Sequence, residues 1–267
     1  MNQEALLAWY ERNKRPLPWR LDPSPWSILL SEILLQQTQM ERGIEYHERL
    51  LKRFPTLSSM AESNVDDVLL LWQGAGYYSR ARRLHALSIE VVEVHGGVLP
   101  KTYEELLKLP GIGPYTAAAV ASIAYSEPVA CVDGNIRRVM ARQSNQEQPS
   151  MNEVQRFADK HLVIDASGEW NQAMMELGAL VCKPRNPICD QCPVEDTCNG
   201  RSRPHELPRP KTAKKTTVEY NCIVRIDENG APELQQRPQT GLFAGLWGPE
   251  MATDLETTGC EFVGTIR

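Results

Sequence analysis

The sequence predicts a mainly α fold: an all-helical domain over residues 1–200, a linker at 201–215, and the start of a smaller α/β domain over 216–267. Three observations carry this expectation. Apolar residues recur at helical spacing as far as about residue 200, and no strand-like alternation is convincing before residue 216. Four of the seven cysteines are packed into residues 182–198. A β-branched, alternating stretch begins only after a run rich in proline and basic residues.

The helical elements follow in order. Ala5, Leu6, Trp9 and Tyr10 share one face of a first helix. Ile28, Leu29, Ile33 and Leu34 repeat the spacing, as do Val65, Val68, Leu69 and Trp72. Proline and glycine punctuate between these stretches at Pro23, Pro25, Pro55, Gly74, Gly76, Gly96, Gly97 and Pro100. Residues 201–215, RSRPHELPRPKTAKK, hold three prolines and little apolar content, and read as a linker. After it TTVEYNCIVRI (216–226) alternates, DENG (227–230) is a turn and APELQQR resumes an extended character, which predicts a β-hairpin. Only about 50 residues follow the linker, thin for an independent core, so this domain reads as truncated.

At 267 residues, 42% hydrophobic and 24% charged, the composition is that of a soluble globular chain. No apolar run approaches the roughly 20 residues of a membrane span. The N-terminus, MNQEALLAWYERNKR, carries acids and is neither a secretory signal nor a transit peptide. The expected location is a bacterial cytoplasm. A net charge of −5 argues weakly against a nucleic-acid partner, but a phosphate backbone needs only a local basic face. Arg80, Arg82 and Arg83 form one such cluster, Arg137, Arg138 and Arg142 a second, and Arg201 to Lys215 a third opposed only by Glu206. Each also reads as an ordinary solvated face.

Cys182, Cys189, Cys192 and Cys198 give the spacing C-x6-C-x2-C-x5-C. A reducing cytosol disfavours disulfides, so this cluster points to metal. Structural zinc sites usually come as two short knuckles, whereas here only one pair is close. A [4Fe–4S] cluster, with its iron corners spread apart, suits the longer arms. The spacing leaves zinc open.

The stretch LPGIGPYTAAAVA (109–121) has the form of a helix-hairpin-helix. Gly111 and Gly113 permit a tight turn and close approach of a partner. The helix expected over Thr116 to Ile123 would present free N–H groups to a phosphate, a contact that reads no base. A plain helix–helix turn accounts for the glycines as well.

Several segments converge on one family. LPWR (17–20), SEILLQQTQ (31–39), GAGYYSRARRL (74–84), LPGIGPYTA (109–117), VDGNIRRV (132–139), WNQAMMELGALVC (170–182) and the four cysteines resemble the MutY-type adenine DNA glycosylases of the endonuclease III superfamily. EYNCIVRI and QQRPQTGLFAGLWGPE (235–250) resemble the start of that family's Nudix-like C-terminal domain. The resemblance implies an iron–sulfur loop and a helix-hairpin-helix glycosylase fold. It also implies a duplex DNA partner with adenine mispaired with 8-oxoguanine or guanine, hydrolysis of the adenine N-glycosidic bond, a monomeric enzyme and nucleoid-associated work. A second domain truncated at residue 267 would weaken selectivity for 8-oxoguanine. The cysteine loop would bring Lys183, Arg185 and Arg201 to the DNA backbone.

The residue roles follow from the same match. Glu32 and Asp133 correspond to the family's two catalytic acids. Glu32, between Ser31 and Ile33 in an apolar helix, would have its pKa raised and donate a proton to adenine. Asp133, ionised, would face the sugar cation, with Asn135 hydrogen-bonding beside it. On the residues alone, Asp133 reads as a helix N-cap and Glu32 as a solvated acid. Tyr115 stands where the lyase branch carries a lysine; a phenol forms no Schiff base, so a monofunctional glycosylase is expected. Arg137 stands where some members carry lysine. Trp19, Arg20, Leu35 and Gln172 correspond to the adenine pocket, and Gln37 and Tyr77 to residues filling the stack around the lesion. The alternatives are an endonuclease III-type pyrimidine glycosylase/lyase and, in another class, a non-catalytic iron–sulfur or zinc DNA-binding protein.

Overall fold

In the computed structural model the described residues are 1–210, 217–238, 241 and 243–264. The chain divides into two units, Met1–Pro210 and Lys211–Arg267. The first unit is helical, as the periodicity predicts. Its α-helices are α1 (Gln3–Asn13), α2 (Pro18–Leu21), α3 (Pro25–Leu34), α4 (Met40–Arg53), α5 (Leu57–Ala61), α6 (Val65–Trp72), α7 (Ser79–His95), α8 (Tyr103–Leu106), α9 (Pro114–Tyr125), α10 (Gly134–Gln143), α11 (Met151–His161) and α12 (Ser167–Leu180).

Local chemistry starts these helices where the sequence allows. Ser24 caps α3 by accepting from the Ser27 N–H, with Pro25 at the first helical position, where its missing N–H is harmless. Ser150 and Glu153 form a reciprocal capping box on α11. α9 begins at Pro114, two residues before the expected start, so Tyr115 lies inside its first turn.

Two apolar clusters build the first unit. One gathers α3, α4, α6 and α7 around Leu29, Leu34, Phe54, Trp72 and Leu84. The other gathers α1, α10 and α12 around Leu6, Tyr10, Ile136, Trp170 and Leu177. α9 contributes to both, Val120 and Ala121 to the first and Ala118 and Ala119 to the second. Its alanine run is what lets helices approach from two sides, since small side chains hold backbones close. Asn171 of α12 locks this seam, its amide donating to Ser122 Oγ at 2.8 Å and to Val129 O at 2.9 Å.

The expected linker begins later than the composition indicates. Residues 201–210 belong to the first unit: Leu207 is buried, and its carbonyl accepts from Arg142 Nε at 3.0 Å. The rest of that linker, 211–215, and Thr216 lie outside the described residues, as do 239, 240, 242 and the terminal 265–267.

The second unit holds short antiparallel strands, β1 (Asn221–Ile223), β2 (Gln235–Gln236), β3 (Trp247–Gly248) and β4 (Glu250–Ala252). The DENG turn forms as expected: Asp227 Oδ1 accepts from the Asn229 and Ala231 N–H groups, and Ile226 bridges Pro232. Beyond the turn the hairpin extends by one further bond, the Glu233 N–H donating to Arg225 O at 2.8 Å. β1 pairs with β4, Cys222 opposite Met251, and β2 pairs with β3. Trp247 and Phe243 remain exposed in this unit, so side-chain burial does not extend the ladder from the turn.

Candidate active site

A cleft of about 660 Å³ opens in the first unit between the two apolar clusters, within the usual range for a ligand pocket. Glu32, Tyr115, Asp133 and Asn135 all line it or face it, brought together from α3, α9 and the start of α10. Trp19, Arg20, Leu35 and Gln172 line the same cleft, so the expected pocket residues converge although 153 positions separate the first from the last.

Glu32 is 7% exposed, in the last turn of α3. Burial pushes its carboxyl from 4.5 to about 7, Asp133 adds to the rise, and the Tyr115 hydroxyl and Arg20 partly offset it. Tyr115 Oη donates to Glu32 Oε2 at 2.7 Å and lies 3.2 Å from Met175 Sδ. The tyrosine therefore has a positive role that sequence comparison does not give it: it orients the acid. Its own hydroxyl is pushed well above the usual phenol range, chiefly by burial, so it stays a donor.

Asp133 is both things the sequence permits. It is the N-cap of α10, Oδ1 accepting from the Ile136 N–H at 2.7 Å, and it faces the cleft. Oδ2 accepts from Asn135 Nδ2 at 2.7 Å. Asn135 is held in turn by Arg138, whose Nη2 donates to Asn135 Oδ1 at 2.8 Å and to Gly178 O at 2.9 Å. A Cβ on Gly178 would stand 2.5 Å from Asn135 Cβ, so glycine is required for α12 to pass this close. Burial raises the Asp133 carboxyl, and the Ile136 and Asn135 hydrogen bonds oppose the rise.

The facing wall centres on a residue the sequence reading missed. Glu176 of α12 is buried and accepts from Arg15 Nε at 2.8 Å, Arg15 Nη2 at 2.9 Å, the Arg15 N–H at 3.1 Å and Arg20 Nη2 at 3.0 Å. Burial alone would raise this acid; the two guanidiniums prevail and hold it at about 2. Arg20 Nε also donates to Gln172 Oε1 at 3.1 Å. One signal was available: Glu176 lies four residues after Gln172, on the same helical face. Nothing in the sequence marks Arg15. Behind the cleft, Trp19 packs edge-on against buried His47 at 5.1 Å.

Gln37 and Tyr77 lie outside the cleft. Both are exposed, and both have left-handed backbones, with φ of 60° and 47°. Gly111 has φ 78°, and a Cβ there would meet the Arg83 stem at 2.8 Å, which accounts for this glycine. Gly113 caps α9, and a Cβ on it would meet nothing within 4 Å. The N–H groups of Tyr115 and Thr116 belong to the first turn, which a helix leaves unpaired.

Some members of the basic clusters are turned inward, whereas Arg201 and Arg209 are exposed and Lys211, Lys214 and Lys215 lie outside the described residues. Arg80 is spent on backbone carbonyls of Ile33, Leu34, Gln36, Ala75 and Gly76. Arg142 is buried and donates to carbonyls of Lys183, Pro184 and Leu207. Arg201 pairs with Glu195 at 3.1 Å, and Glu147 takes both Arg203 and Arg209. Acids distant in sequence therefore oppose the third cluster. Arg83 and Arg185 are exposed.

Cys182, Cys189, Cys192 and Cys198 line one small cavity with Arg142, whose Nη1 lies 3.3 Å from Cys182 Sγ. None of the four is in a disulfide, and burial pushes the Cys192 thiol up to about 12. Among the described residues no three His, Cys, Asp or Glu side chains converge closely enough for a single metal ion. Among the same residues no helix is long and apolar enough to cross a membrane.

Residues 30–162 match the family model "HhH-GPD superfamily base excision DNA repair protein". The chain is 36% identical to the adenine DNA glycosylase of Homo sapiens, covering 91% of this chain and 56% of that protein. It is 34% identical to the adenine DNA glycosylase of Schizosaccharomyces pombe, covering 92% of this chain and 68% of the relative. In structure it is similar to a thermostable thymine-DNA glycosylase, with a TM-score of 0.70, 26% identity and coverage of 75% of this chain and 94% of that one. The chain thus spans little more than half the length of the mammalian relative.

Proposed function

This chain belongs to the HhH-GPD superfamily of base-excision DNA repair proteins, among the adenine DNA glycosylases, and from that premise we propose that it excises adenine from duplex DNA. The observation that carries the proposal is Glu32: a buried acid, near-neutral in pKa, in a cleft of nucleobase-compatible size where a second acid, Asp133, caps α10 and accepts from Asn135. Two carboxyls set apart by environment are the usual equipment for cleaving a glycosidic bond.

An adenine within the stack is out of reach, so the reaction begins with its rotation into the cleft. Glu32, protonated and aimed by Tyr115, donates to the departing base and removes the penalty of an anionic leaving group. Asp133 stabilises the positive charge developing at the sugar, with Asn135 holding its second oxygen. Arg20 and Gln172 orient the base. No amine stands at position 115, which supports a monofunctional reaction without strand cleavage. Gly111, Gly113 and the first turn of α9 take a backbone phosphate. The preferred mispairs are adenine opposite 8-oxoguanine or guanine, read by a monomer at work in the cytoplasm on nucleoid DNA.

The four cysteines are read as ligands of a [4Fe–4S] cluster. A common cavity lined by all four, with one close pair and two longer arms in the spacing, suits a group with separated metal corners. When bound it supplies a structural pin for residues 182–198. Elemental analysis finding zinc and no iron would overturn that assignment.

The activity is tested with duplexes carrying A:8-oxoG, A:G and T:G, each with and without alkali. The expected result is abasic product from the two adenine mispairs, with strand breaks appearing only after alkali. Breaks without alkali, or excision from T:G alone, would favour the pyrimidine glycosylase/lyase instead.

A further inference from the structure

Arg80, the second residue of α7, makes more backbone contacts than any surface role requires. Its Nη1 donates to Ile33 O at 2.9 Å and Leu34 O at 3.0 Å, and reaches Gln36 O. Its Nη2 reaches Thr38 Oγ1 at 3.4 Å, Ala75 O at 3.3 Å and Gly76 O at 3.4 Å. The guanidinium lies 5.4 Å from the Trp72 ring and 5.6 Å from the Tyr77 ring.

These contacts join three pieces that the sequence keeps apart. The Ile33 and Leu34 carbonyls belong to the last turn of α3, which a helix leaves unpaired and which follows directly on Glu32. Gln36 and Thr38 flank Gln37. Ala75 and Gly76 lead into Tyr77. Gln37 and Tyr77 are both non-glycine residues in left-handed conformations, which persist only where surroundings hold them. Further bonds support the second loop: Tyr46 Oη donates to Gln73 O at 2.6 Å, and the Gly74 N–H donates to Tyr78 Oη. Tyr77 itself is 64% exposed, so packing does not fix it.

We propose that Arg80 is the positioning residue that sets Tyr77 and Gln37 against the DNA stack and fixes both in register with Glu32. The inference rests on the adenine-excision reading above. A planar fork reaches two sets of carbonyls at once while its faces meet rings; a lysine ammonium, one point with three donors, cannot. The positive charge also meets the negative end of α3, which steadies the helix carrying the acid.

The test uses the full chain with 2-aminopurine at the target position opposite guanine, whose fluorescence rises when the base leaves the stack. Arg80→Lys is expected to remove that rise at saturating protein and to slow single-turnover adenine excision about 100-fold, the size of effect that a misplacement near 1 Å produces. The pH midpoint of excision should stay near that of the wild type, since the Glu32 pocket is not altered. In a Tyr77→Ala background Arg80→Lys should cost little more, because contacting residues that act as one unit are not additive. Wild-type fluorescence and rate in Arg80→Lys, or fully additive losses with Tyr77→Ala, would overturn the proposal. Should Arg80→Lys not fold, Gly76→Ala probes the same loop: φ is 73° and a Cβ would meet nothing within 4 Å, so the strain stays in the turn. Retained flipping in Gly76→Ala would then overturn it. Failure of the wild type to release adenine would instead sink the underlying activity.

Discussion

Glu32 and Glu176 are both buried acids on one cleft, and their pKa values move in opposite directions. On the α3–α9 wall Glu32 meets a phenol and an aspartate, and its pKa rises to about 7. On the α12 wall Glu176 meets two guanidiniums, and its pKa falls to about 2. Burial acts on both in the same direction. What differs is the hydrogen-bonding partner: a neutral phenol on Glu32, two guanidiniums on Glu176.

The comparison breaks most visibly by removing each acid. Glu32→Gln should lower single-turnover adenine excision about 10³-fold, within the usual range for a general acid, while duplex affinity persists. A variant that keeps wild-type rate would show that another group protonates the base. Glu176→Gln should fail by another route: two guanidiniums left without their anion cost roughly 3–5 kcal/mol of stability, read as a lower urea midpoint at neutral pH. An unchanged midpoint would mean that water replaces the carboxylate freely.

Stability against pH separates the two acids by sign. Glu32 has a folded pKa above its ordinary 4.5, so the folded state binds more protons, and its contribution declines as pH rises from about 4.5 through 7. Glu32→Gln should therefore be more stable than the wild type at pH 8, by about 2–3 kcal/mol. Glu176 has a folded pKa below 4.5, so its contribution is whole above that value and is lost as pH falls toward 2. Denaturation midpoints of the wild type and of each glutamine variant at pH 3, 5 and 8 check both signs, Glu32 between pH 5 and 8 and Glu176 between pH 5 and 3; equal differences at pH 5 and pH 8 would contradict the Glu32 assignment.

The smallest effect sharpens the α3–α9 wall. The Tyr115 hydroxyl lowers the Glu32 pKa against burial, so Tyr115→Phe should move the basic limb of the excision profile upward, by about half a pH unit to one unit. A downward move would show that the hydroxyl favours the neutral acid.

By itself the sequence determined the helical character of residues 1–200, because apolar spacing reports a local period that each helix carries within itself. It also marked Glu32, Asp133, Tyr115 and the four cysteines, since each sits in a short contiguous motif. It could not place the end of the first unit, because Leu207 is buried by Arg142, a partner 65 residues away. It took Arg80, Arg138 and Arg142 as surface charges, because a basic residue looks alike in sequence whether it faces a phosphate or a carbonyl. It carried the second-unit hairpin farther past DENG than the Arg225–Glu233 bond, since alternation gives a strand's character and not its partner; β1 pairs with β4 instead. Above all, it gave no account of Glu176. Only the tertiary structure brings Arg15, Arg20 and Glu176 together, and a buried acid's charge is set by what surrounds it rather than by its neighbours in the chain.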